Sequence, residues 1–115
     1  MSEQANAYGY AWKDWLANED PAYINVNQPF SAYSAGEGQQ LSIKHREMVM
    51  IGILAFRSRQ AAVAAHMRRA IAHGATKREL LEALYAAQIP GGGPTLSVGV
   101  QALMQLEQEN GFKNG

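Results

Sequence analysis

The chain has 115 residues, 47% of them hydrophobic, which suits one domain with a real core. Ten basic and ten acidic side chains cancel, with no long block of either sign, so nothing draws the protein electrostatically to nucleic acid or anionic lipid. Cysteine is absent, which excludes disulfides, thiolate nucleophiles and cysteine metal sites.

Residues 1–10 carry neither the basic start nor the apolar run of a signal peptide. The longest apolar stretch, residues 48–56, is too short to span a bilayer, and a cytoplasmic protein with no membrane partner is expected. Residues 11–18 read as a short helix with Trp12, Trp15 and Leu16 on one side, interrupted at Asp20-Pro21. Residues 22–34 mix aromatics with Asn and Pro and suit a second short helix. A loop over 35–38 then leads to Ser42, a helix N-cap.

Residues 43–57 are helical in composition, and 48–56 are apolar on every face, as expected of a central helix covered all round or by a partner subunit. A fourth helix over 60–73 is rich in Ala and stops at Gly74, the residue type that belongs just past a helix end. Thr76 and Glu79 form a capping box for a helix to about Gln88. Pro90-Gly91-Gly92-Gly93-Pro94 should end that helix, with Pro94 opening a last one through Leu106. No stretch alternates with period two, so the chain reads as all-α. Its expected organisation is an arm and loop over 1–40, a helical core over 41–110 and a tail over 111–115.

Glu47 is the first candidate for chemistry, because a carboxylate entering the run Met48-Val49-Met50-Ile51 is costly unless paired. The plainer reading places it on a polar strip near the helix start, where the helix dipole favours negative charge. His66 sits among small apolar residues, which leaves room beside the imidazole. Alone it reads as a core or interface histidine; with Glu47 it could exchange a proton near neutral pH. Spacing alone does not bring the two together.

Arg59, His66 and Arg69 return to one helix face at offsets of seven and three, a face able to hold a carboxylate substrate. For Arg68 and Arg69 a salt-bridging face is the stronger expectation. His45 and His73, near helix ends, read as structural. With no metal-ligand spacing among three histidines, no metal site is expected. The Gly-rich turn lacks the Lys-Ser/Thr ending of a phosphate loop and reads as a tight connection bordering a pocket. A helix-turn-helix around Gly74 is opposed by the neutral charge.

Taken together, Leu41-Ser42-Ile43-Lys44-His45-Arg46-Glu47, Ala65-His66 with Ala70, His73-Gly74-Ala75-Thr76 with Glu79-Leu80, and Gly92 with Pro94 resemble the carboxymuconolactone decarboxylase and AhpD-like family. The family's peroxidase branch uses Glu, eleven residues, Cys, two residues, Cys, three residues, His. Here that frame runs from Glu47 to His66 without a gap, with Arg59 and Ala62 at the two cysteine positions. A thiol peroxidase therefore has no carrier in this chain.

The resemblance implies an AhpD-like all-α domain built around an antiparallel helix pair and assembled as a homo-oligomer, a trimer or hexamer. In the thiol-free branch it implies a cofactor-independent decarboxylase acting on a small carboxylated lactone or related acid of aromatic degradation. His66 would be the proton donor, Glu47 its partner and Arg59 the holder of a substrate carboxylate. Ala62 is apolar where a polar group could assist, and the turn lacks the aromatic residue that decarboxylase-like members carry. The alternative is a non-catalytic binding or scaffold protein that retains the fold.

Overall fold

The computed structural model describes residues 11–112, so the expectations for residues 1–10 and for the last three residues of the tail lie outside the described region. Among the described residues there are six α-helices and no strand: α1 (Ala11–Glu19), α2 (Pro21–Ala35), α3 (Ile43–Phe56), α4 (Gln60–Ala72), α5 (Lys77–Gly91) and α6 (Gly93–Gln108). The all-α expectation holds.

The core is formed where α3, α4, α5 and α6 meet, with Ile51, Val63, Met67, Leu80, Leu84 and Leu106 removed from solvent. A turn of three residues joins α3 to α4, with Ser58 in the left-handed region at φ 59°, and folds the two helices back on one another. On α3 the buried residues are Glu47, Ile51 and Ala55, spaced four apart on one face. On α4 the small residues Ala62, Ala64, Ala65 and Ala70 let neighbouring helices approach closely.

The boundaries follow local chemistry. The Ser42 hydroxyl accepts from the His45 amide at the head of α3. His73 closes α4, and Gly74 takes the positive φ of 98° that its position requires. The Thr76–Glu79 capping box forms in both directions.

Two elements differ from expectation. Helix α2 is longer than its mixed composition suggested, because Pro21 occupies the first turn, where a missing amide costs nothing, and Asp20 accepts from the Tyr23 amide. Helix α5 does not stop near Gln88 but runs through Pro90 to Gly91. Pro90 falls in the last turn, where its fixed φ is helical and its lost amide would have paired only with the carbonyl of exposed Ala86. The Gly92 amide then donates to Gln88 at 2.7 Å, and Gly92 alone, at φ 90°, separates α5 from α6.

The central helix is not covered on all sides by the described residues. Val49, Ile53 and Phe56 are exposed on α3. With Met48, Gly52, Ala83, Ala86, Ala87 and Pro90 they border an apolar groove of about 510 Å³ between α3 and α5. No helix among the described residues is long and apolar enough to cross a membrane.

Candidate functional site: a buried carboxylate held by an imidazole and a guanidinium

Glu47 has no exposed surface. Its Oε2 lies 2.6 Å from His66 Nδ1, and its Oε1 accepts from Arg69 Nη1 at 2.7 Å. The fold explains the meeting: Glu47 stands one turn into α3, and the antiparallel return of α4 brings the 66–69 face opposite it. The side chains of His66 and Arg69 keep 12% and 25% exposure, so the site is buried on the carboxylate side and reaches solvent at its basic partners.

Burial of a carboxylate is tolerable only with such donors, and two strong hydrogen bonds compensate for its lost water. A carboxylate paired with a guanidinium can only accept, so His66 Nδ1 donates to it. That fixes the imidazole tautomer, with Nε2 as the ring nitrogen that Glu47 does not engage. The polar-strip reading of Glu47 is replaced by this internal contact.

Arg69 is the residue that sequence reasoning undervalued. Its Nη1 also donates to the Ala35 carbonyl at 3.0 Å, so one guanidinium ties the end of α2 to the buried carboxylate. Its place three residues after His66 was the available signal. What could not be read was the carbonyl of Ala35, which comes from an element of uncertain extent.

Arg59 does not join the cluster. It is exposed at the head of α4 and lines a hollow of about 340 Å³ with Trp12, Lys13, Leu16, Tyr23, Asn27 and Ser31 of α1 and α2. Ala62, the other position of the missing thiols, is buried in the core. Neither Glu47 nor His66 lines this hollow or the apolar groove.

Several of the other charged residues have structural partners. Arg68 pairs with Glu109, Lys77 with Glu107 and Arg78 with Glu82, all exposed. Arg46 donates to the carbonyls of Tyr33 and Ser34 and ties the last turn of α2 to α3. The Ser42 hydroxyl engages His45 Nδ1 at 2.8 Å, in line with a structural role for that histidine.

An all-helical core organised around a Glu–His–Arg cluster defines a class of small helical proteins with a polar site inside the helix pair. The model of the carboxymuconolactone decarboxylase family matches residues 25–105, and the chain belongs to that family. A crystal structure of an apo carboxymuconolactone decarboxylase family protein from Legionella pneumophila has the same fold. The two superpose with a TM-score of 0.76 at 22% identity, over 93% of this chain and 97% of the other. No curated protein matches the chain at a significant level.

Proposed function

We propose that the protein is a cofactor-independent lyase that decarboxylates a small carboxylated lactone or related acid of aromatic degradation. The observation that carries this reading is the 2.6 Å contact between Glu47 and His66 Nδ1. Breaking the bond to the departing CO₂ leaves an electron pair on the substrate carbon, delocalised into the adjoining unsaturated or carbonyl system. A proton from Nε2 of His66 quenches it. Glu47 orients the ring and stabilises its doubly protonated form, as a carboxylate behind a catalytic histidine does elsewhere. Arg59, exposed at the N-cap of α4 and seven residues before His66, holds a substrate carboxylate.

The second reading, a binding or scaffold protein without turnover, is favoured by one observation: His66 does not line the hollow that Arg59 lines. His66→Asn separates the two. On a panel of carboxylated lactones and β-keto acids, CO₂ release should be lost in the variant while helicity and assembly are unchanged; retained release rejects the role of His66.

Self-association belongs to the same proposal. The exposed apolar residues of α3 are the surface on which a homo-oligomer, a trimer or hexamer, would close. Light scattering should find no stable monomer. A cytoplasmic location is part of the reading, since a reducing compartment suits a chain without cysteine.

A further inference from the structure

We propose that the apolar stripe along α2 of one chain docks in the groove between α3 and α5 of a second copy, so that the protein assembles head to tail through two unlike surfaces. The inference rests on the self-association proposed above and names the surface that meets α3.

Helix α2 has the character of an interface. Tyr23, Val26, Phe30 and Tyr33 recur at steps of three, four and three, which places them along one helix face, and each is between 47% and 83% exposed. None of the 15 residues of α2 is buried, and none is charged. A helix face that stays in water ordinarily carries charge. Its depletion, together with exposed aromatic residues, marks the core of a protein contact.

The groove is the complement of that stripe. No charged residue lines it, so seating the charge-free helix strips no ion of its water. Gly52, Ala83, Ala86 and Ala87 are small and leave room for large rings beside Val49, Ile53 and Phe56. A Cβ at Gly52 would lie 3.3 Å from Ala87 Cβ, so α3 and α5 meet beneath the groove and close its floor. A helix laid in such a groove anchors at i, i+3 and i+7, the spacing of Tyr23, Val26 and Phe30. Tyr23 to Phe30 and Val49 to Phe56 each advance roughly 10 Å along their helices, so stripe and groove agree in length.

The area is adequate as well. With aromatic side chains of about 150–250 Å² each, the exposed parts of Tyr23, Phe30 and Tyr33 come to roughly 400 Å². That is about half of the 800 Å² or so that each partner buries in a standard interface, a fitting share for the anchors alone.

Within one chain α2 is held elsewhere. Arg46 donates to the carbonyls of Tyr33 and Ser34, and Arg69 to that of Ala35, which fixes the end of α2 beside the start of α3 and the 66–69 face of α4. No residue of α2 lines the groove. A second copy carries the matching stripe in every case. Two unlike surfaces that meet generate a ring when the rotation closes, which a trimer requires and a contact of α3 with α3 cannot supply.

Phe30→Glu and Ile53→Glu each put a charge at an exposed position of one surface, and circular dichroism should show both as helical as the parent. Light scattering should find self-association about thirty-fold or more weaker in each, the scale of a lost interface hot spot. An equimolar mixture of the two is the sharper arm. The Phe30→Glu chain keeps its groove and the Ile53→Glu chain keeps its stripe, so native mass spectrometry should find a one-to-one pair of unlike chains. Absence of that pair, or a Phe30→Glu protein that assembles as its parent does, overturns the inference. An oligomeric parent with an unaffected Phe30→Glu form refutes only the seating of α2 and leaves α3 to meet α3. A parent that is a stable monomer refutes the self-association itself, and this inference with it.

Discussion

Arg69→Met removes the guanidinium and keeps much of the side chain's apolar length. In the native protein Arg69 Nη1 holds both Glu47 Oε1, at 2.7 Å, and the Ala35 carbonyl, at 3.0 Å. Removing one member of a buried ion pair typically costs about 3–5 kcal/mol, because the remaining charge loses its compensation. Arg69 keeps 25% of its side-chain surface in water, which permits some resolvation and puts the expected loss towards about 3 kcal/mol. Arg68→Met, one residue away, breaks only an exposed pair with Glu109 and should cost no more than about 1 kcal/mol. Urea unfolding monitored by circular dichroism at fixed protein concentration compares the two. If Arg69→Met proves as mild as Arg68→Met, the argument that the guanidinium compensates Glu47 is wrong. A double variant with Glu47→Gln adds an internal control: the two losses should fall short of additivity by about 0.5–3 kcal/mol, since both dismantle one network.

Close packing and surface charge give two further tests. A Cβ at Gly99 would lie 2.3 Å from Leu84 Cδ2 and 2.9 Å from its Cγ, so Gly99→Ala must displace the buried Leu84 side chain or separate α5 from α6, and should destabilise by about 1–3 kcal/mol in the same unfolding assay. Lys44, then Thr76, hold the Glu79 carboxyl below its ordinary range, and Arg68, then Gln105, do the same for Glu109. Their folded values are depressed, so the stability they add is fully present above the unfolded value of about 4.3 and fades as pH falls through the lowered folded values. The thermal midpoint should therefore drop on acidification through that window, and less steeply in a Glu79→Gln, Glu109→Gln protein; equal slopes would refute the assignment.

The parts of the fold legible in the sequence were those encoded by local contacts. Ser42, Gly74 and the Thr76–Glu79 box each act within a few residues, so their helix ends could be placed before any packing was known. Pro90 misled because a proline is costly only where its missing amide or its ring meets the helix interior, and the position of the last turn depends on what covers it. The candidate site divides the same way. Glu47 stood out as a charge in an apolar run, and His66 as an imidazole among alanines, but their meeting depends on the turn at residues 57–59 reversing the chain. Arg69 was hidden for a further reason: one of its partners is a backbone carbonyl, which has no signature in a sequence.

The single-residue joint at Gly92 has a consequence for how the chain can be cut or extended. A protease must draw several residues into an extended conformation, and between α5 and α6 only one residue lies outside a helix. The segment between α2 and α3 is longer, and its residues 39–41 are exposed. Limited proteolysis should therefore nick the chain between arm and core while leaving the last two helices joined. The same contrast marks where a tag, a loop graft or a new chain terminus would be tolerated.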